Sequence, residues 1–177
     1  GCGWAVFHPS DYKTWYASSS GNFASTESLW IGPTGGVFRT NDEGQTWELI
    51  GDKNDLESDY NIIYKMLISE QDSLVLYVAS EKGLFRTRNC DAVPSSSITW
   101  EKVLDGRIYD VEFRPDSDSI LYAVVYNYDT KQWMIQMSEN WGNQSTWYNI
   151  PAQPQSLTDS TIRHQHITIE VSKARPG

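Results

Sequence analysis

The stretch TNDEGQTW, Thr40 to Trp47, decides how this chain is to be read. Its Asp42-Glu43-Gly44 centre is open to three meanings: the start of a metal loop, a carboxylate pair for hydrolysis, or a tight turn. The surrounding sequence discriminates between them. GGVFRTNDEGQTW (Gly35 to Trp47) returns as KGLFRTRNCDAVPSSSITW (Lys82 to Trp100) and, more faintly, as IQMSENWGNQSTW (Ile135 to Trp147). Thr40, Thr87 and Ser138 fall in one column and Trp47, Trp100 and Trp147 in another. Successive copies lie about 50 residues apart, a period that belongs to repeat architectures. Insertions inside the turn account for the uneven spacing between the two columns.

A second element repeats upstream of each copy. VFHPSDYKTWYASS (Val6 to Ser19), LISEQDSLVLYVAS (Leu67 to Ser80) and VEFRPDSDSILYAVV (Val111 to Val125) share one layout. Each is a short apolar strand, a polar turn, and an apolar–Tyr–small strand in which Tyr16, Tyr77 and Tyr122 correspond. The apolar runs are short and rich in β-branched and aromatic residues, as strands are. Each unit therefore predicts four strands, which in the third are Tyr109–Arg114, Ile120–Tyr126, Trp133–Ser138 and Thr146–Ile150. Four-stranded antiparallel units at this period predict an all-β fold, a β-propeller. Its blades fall at about 1–50, 61–104 and 108–150, and ITIEVSKARPG (Ile167 to Gly177) opens a fourth within 162–177. Propellers close with 4 to 8 blades. The expectation is an incomplete ring, finished by a longer chain or another subunit.

TNDEGQTW also matches the pattern Ser/Thr-x-Asp-x-Gly-x-Thr/Ser-Trp at each defined position: Thr40, Asp42, Gly44, Thr46 and Trp47. The second copy keeps Thr87, Asn89, Thr99 and Trp100, and the third keeps Ser138, Asn140, Gly142, Thr146 and Trp147. In these motifs the chain resembles the Asp-box (BNR-type) β-propeller repeat family. That group includes sialidases, xyloglucan-cleaving glycosidases, sortilin-like receptors and secreted bacterial surface proteins. The resemblance implies an exported or cell-surface protein whose boxes lie at the periphery, away from the ligand face. Physically the motif suits a fold element. An Asp or Asn side chain can tie backbone amides two residues on, glycine admits a positive φ, and the tryptophan offers an apolar face to the neighbouring blade.

The sharper meanings of Asp42-Glu43 fare worse. A calcium loop depends on carboxylate oxygens at fixed spacing, yet the acid becomes Asn89 and Asn140 in the other copies. Glycosidase carboxylates flank a scissile bond across a cleft of roughly 5–9 Å, whereas adjacent acids on a turn point apart. No metal and no cofactor is expected. Where sialidases of the group carry an Arg-Ile-Pro motif, this chain has none. Where xyloglucan-cleaving members carry an aspartate before a Gly-Gly pair, Pro33-Thr34 precede Gly35-Gly36. No catalytic residue is assigned.

The net charge of −9, from 23 acidic against 14 basic residues, argues against nucleic acid and anionic membrane surfaces as partners. No apolar run reaches the roughly 18 residues of a membrane helix. Lys82, Arg86 and Arg88 form a loose basic group that reads as a solvated strand edge. Cys2 and Cys90 are too few for a disulfide scaffold. His164 and His166 read as an exposed strand face, lacking companion ligands nearby. A ligand face is expected where the loops between second and third strands meet the loops joining units, over Ser18–Gly35, Gly51–Asn61, Asn127–Lys131 and Ile150–His164. Trp30, Asp59, Tyr60 and Tyr128 lie there, aromatics and an acid suited to a protein or glycan ligand. The favoured function is non-catalytic binding of such a ligand; the alternative is part of a glycoside hydrolase whose acids lie in other blades.

Overall fold

The computed structural model describes residues 3–19, 35–57, 62–159 and 167–172. Among these, twelve strands form three four-stranded antiparallel sheets, each in simple chain order. The first comprises β1 (Ala5–Phe7), β2 (Trp15–Ser19), β3 (Gly36–Thr40) and β4 (Glu48–Gly51). The second comprises β5 (Ile63–Ile68), β6 (Leu76–Ser80), β7 (Gly83–Thr87) and β8 (Glu101–Leu104). The third comprises β9 (Arg107–Arg114), β10 (Ser117–Asn127), β11 (Gln132–Ser138) and β12 (Tyr148–Asn149). Its last strand is shorter than the pattern predicts, because Gln144–Thr146 winds into a 3-10 turn first. The described helical content is that turn, a second one at Ser95–Ser97, and α1 (Gln155–Thr158). No helix among the described residues is long and apolar enough to cross a membrane.

Alternation along the strands gives each sheet two apolar faces, so the sheets pack face to face in chain order. Tyr16, Val37 and Ile50 of the first meet Met66, Leu76, Val78 and Phe85 of the second. On the other side of the second sheet, Tyr77, Ala79, Leu84 and Val103 meet Ile108, Val111, Leu121, Ala123 and Val125 of the third. First strands gather at one edge, with β5 touching both β1 and β9. The far face of the third sheet is covered by its own continuation, Leu157 of α1 and Ile167 and Ile169 closing over Val124 and Trp133. Residues 167–172 are described without strand pairing; the rest of the expected fourth-unit opening lies outside the described residues.

The sheet interfaces share one polar device. Tyr16 stands opposite Arg39 across β2 and β3, and Tyr77 opposite Arg86 across β6 and β7. Arg39 donates to Glu48 at 2.8 Å on its own sheet, then reaches into the second sheet's turn to Cys90 O at 2.8 Å and Ala92 O at 3.1 Å. Arg86 repeats the arrangement one sheet on, bonding Glu101, Trp141 O and the Asn143 side chain. The expectation that Arg86 sits on a solvated edge is therefore corrected. Its side chain is almost fully buried, because the Trp141 carbonyl, the Asn143 side-chain oxygen and a glutamate satisfy its donors. At the equivalent place in the third sheet, Tyr122 faces Met137. Replacing Arg39 with Met, the residue that stands at the equivalent place of the third sheet, leaves the Cys90 and Ala92 carbonyls unpaired. We expect a loss of roughly 2–4 kcal/mol, read by urea unfolding, with Lys restoring only part of it.

Candidate functional site

TNDEGQTW folds as a tied turn. Asp42 Oδ1 accepts from Thr40 Oγ1 and from Thr46 N, both at 2.8 Å, and Oδ2 accepts from Thr46 Oγ1 at 2.6 Å. Thr40 Oγ1 in turn accepts from Gly44 N at 2.9 Å. Gly44 adopts φ 86°, and Gly142 in the third copy φ 64°. These donors hold the Asp42 carboxyl down at about 2, the Thr46 hydroxyl foremost. Asn89 does the same with its amide oxygen, accepting from Thr87 Oγ1 at 2.9 Å and Thr99 N at 3.1 Å. In the third copy Ser138 and Thr146 meet directly at 2.6 Å, and Asn140 contributes its amide to Ser138 Oγ. Both Asp42 oxygens are thus occupied by the loop's own donors. Trp100 and Trp147 pack into the interface cores, Trp100 also donating to Ile50 O at 2.7 Å across the sheets. Trp47 is 44% exposed and bonds only its own turn, at Gly44 O.

Charged groups converge where the first strands gather. Lys65 of β5 donates to Asp110 Oδ1 at 2.7 Å and to Glu112, both on β9, and lies over the Trp4 ring. Burial alone would lower the Lys65 ammonium, but these two carboxylates hold it above its ordinary value. Asp110 also accepts from Val111 N and from Ile169 N at 2.7 Å. Both Asp110 oxygens are spoken for, so Lys65, Asp110 and Glu112 form a structural triad, one ammonium shared by two carboxylates, rather than a free acid and base.

Neighbouring positions on these strands carry aromatics. Tyr64 of β5 stacks on Tyr109 of β9 at 4.3 Å, Tyr109 meets Trp133 edge-on at 4.8 Å, and Tyr126 continues from Trp133 to Tyr128. Arg107 lies over the Tyr128 ring and donates to its hydroxyl at 3.2 Å. Trp133 is buried, Tyr64, Tyr109 and Tyr126 are half-buried, and Tyr128 is exposed. Of the expected ligand-face residues, Tyr128 sits in this cluster; Trp30, Asp59 and Tyr60 lie outside the described residues, as do His164, His166 and Cys2. Sequence reading missed Tyr64, Tyr109, Tyr126 and Arg107. The available signal was their recurrence at strand ends that feed the loop face, Tyr64 and Tyr109 sitting near the starts of corresponding first strands.

A shallow cleft of about 230 Å³ lies between β4 and the Ser95–Ser97 turn, lined by Asp52 and Asp55 among others. Burial pushes the Asp55 carboxyl up, while hydrogen bonds from Asn54 and Asp55 outweigh burial and hold Asp52 down. Their oxygens tie the turn's own amides: Asp52 Oδ1 accepts from Asn54 N, and Asp55 Oδ2 from Asp52 N. No group of three or more His, Cys, Asp or Glu among the described residues is placed to hold a metal ion. Cys90 is a free, buried thiol, pushed up to about 11 chiefly by burial.

No family model and no curated protein matches the chain. Its fold does match solved structures. It is similar to an ancestral GH74 enzyme at a TM-score of 0.59 and 14% identity, over 83% of this chain and 20% of that one. It is similar to the Niastella koreensis GH74 enzyme at a TM-score of 0.54 and 16% identity, over 86% and 22%. GH74 enzymes are β-propellers. At these identities the likeness is one of fold alone, and the chain spans about a fifth of the length of the enzymes it matches.

The tied turn has a pH signature. A carboxyl held at about 2 when folded and near 3.8 when unfolded stabilises the fold above the unfolded value, and that contribution disappears as pH falls through 2. Asp42→Asn keeps an oxygen for Thr46 N but has no proton to bind. The stability gap between wild type and this variant, measured by urea unfolding, is expected to shrink between pH 5 and pH 2. A gap constant across that range would contradict the ionised role of Asp42.

Proposed function

We propose that the chain is part of an Asp-box β-propeller in an exported or cell-surface protein, and that it binds a protein or glycan ligand without catalysing a reaction on it. The remaining blades come from a longer chain or another subunit. The observation that carries this reading is the Tyr64–Tyr109–Trp133–Tyr126–Tyr128 cluster with Arg107 on the loop face. Half-exposed tyrosine rings beside a guanidinium suit the apolar faces and hydroxyls of a sugar, or an aromatic-rich peptide. The acids nearest the gathered first strands support the non-catalytic side, since Lys65 bonds both and Asp110 also holds two backbone amides. The three-sheet stack, its repeated interface contacts and the tied turns support the propeller and the Asp-box assignment. Localisation follows from the motif resemblance.

A second reading is favoured by one observation, the likeness of fold to GH74 enzymes. In it the chain belongs to a glycoside hydrolase whose acids lie in other blades. Titration of the protein with xyloglucan and sialoside oligosaccharides, followed by tryptophan fluorescence and product chromatography, separates the two. Binding without turnover, weakened about five- to tenfold by Tyr128→Ala or Tyr64→Ala, is the expected result. Turnover by the chain itself would overturn the non-catalytic reading. Binding unaffected by either substitution would remove the loop face as its seat.

A further inference from the structure

The tip of each turn has two sides, and the first turn has only one of them in use. In every sheet the tip residue gives its amide to the chain just before, or at the opening of, its own second strand. Glu43 N donates to Lys13 O at 3.1 Å, Cys90 N to Leu74 O at 3.1 Å, and Trp141 N to Ser119 O at 2.7 Å. Each tip carbonyl serves the preceding sheet: Cys90 O accepts from Arg39, and Trp141 O accepts from Arg86 and from Tyr77 OH at 2.7 Å. Glu43 O accepts no hydrogen bond among the described residues. The apolar rows show the same offset. Met66, Val78 and Phe85, hydrogen-bonded neighbours across β5, β6 and β7, are buried against the first sheet. Val111 and Ala123 are buried against the second. The corresponding row of the first sheet is Ala5–Ala17–Phe38–Leu49. Around it Leu49 is 38%, Phe7 63% and Trp47 44% exposed, whereas Trp100 and Trp147 in the later sheets are packed.

We propose that this face is the docking surface of one further four-stranded antiparallel sheet, and that the sheet carries a tyrosine on its second strand opposite an arginine on its third, the guanidinium donating to Glu43 O. The inference rests on the propeller reading and adds the chemistry of the partner. Since Glu48 and Glu101 follow Trp47 and Trp100 and hold the two existing arginines, the incoming sheet brings a Trp-Glu pair after its turn. A second copy of this chain does not supply the contact. Its outlying sheet sets Tyr122 against Met137 instead of arginine, and Leu157, Ile167 and Ile169 already cover that face.

The test adds the partner surface to the intact chain. A duplicate of residues 62–106, which holds Tyr77, Arg86 and Glu101, is joined ahead of residue 3, mirroring the short passage from β8 to β9. Acrylamide quenching of Trp47, isolated by difference with a Trp47→Phe control, is expected to fall, and the melting temperature to rise by at least about 5 °C. Arg86→Met in the duplicate alone is expected to cancel most of both changes. Equal protection with and without that arginine overturns the clamp and leaves the propeller reading standing. Trp47 as open to quenching as before overturns the docking surface and the propeller reading together. Concentration-dependent self-association of the unmodified chain that shields Trp47 overturns the proposal by assigning the face to a second copy.

Discussion

A guanidinium can be buried only where its donors find acceptors, and in this protein Arg39 and Arg86 find them in the next sheet's turn. That requirement links the three sheets. Each arginine is anchored on its own sheet by the glutamate directly opposite it on the next strand, so it reaches forward in one direction only. The turn it meets must present a carbonyl at a fixed place, which constrains the turn's backbone. Positive φ at Glu43 and Trp141, followed by Gly44 and Gly142, turns the tip so that amide and carbonyl face opposite ways. The apolar contacts between sheets supply most of the burial, while the clamp sets which part of one sheet meets which part of the next.

The Asp and Asn of the turns are subordinate to this geometry. Asp42 ties Thr46, and Asn89 ties Thr99 across an insertion that includes Pro94 and the Ser95–Ser97 turn. An amide oxygen and a carboxylate oxygen accept the same backbone N–H, so the exchange of acid for amide costs charge but not the tie. A ligand for a metal or a catalytic acid would not survive that exchange. The third turn goes further and lets Ser138 bond Thr146 directly. Its tip still delivers Trp141 O to Arg86.

The sheets were legible because their signals are local and repeated: apolar alternation, tyrosine before the turn, tryptophan after it. The role of Arg39 and Arg86 was equally present in the repeat, as FRT in two copies and QMS in the third, but sequence alone reads a lone arginine on a strand as solvated. Only the neighbouring sheet's carbonyls explain its burial. Trp47, Trp100 and Trp147 make the same point from the other side. They look interchangeable in sequence, and they differ in exposure because packing depends on what precedes each sheet. The aromatic cluster escaped for another reason. Tyr64, Tyr109, Tyr126 and Arg107 come from three strands and two sheets, so no short sequence window contains them.

Charged and aromatic residues alternate along the gathered first strands, Lys65 beside Tyr64 and Asp110 beside Tyr109. Lys65 joins Asp110 and Glu112 across β5 and β9, and Ile169 N closes the remaining Asp110 oxygen. That network fixes the edge where three sheets converge and engages both of its acids in structural bonds. The tyrosines lie near the starts of the same strands. Interface contacts constrain the turns of the other rim through their carbonyls. A repeat built this way can alter its loop face without disturbing how its sheets dock. On the proposed reading, keeping the clamp apart from the aromatics lets a fold similar to that of GH74 enzymes carry a ligand-binding surface.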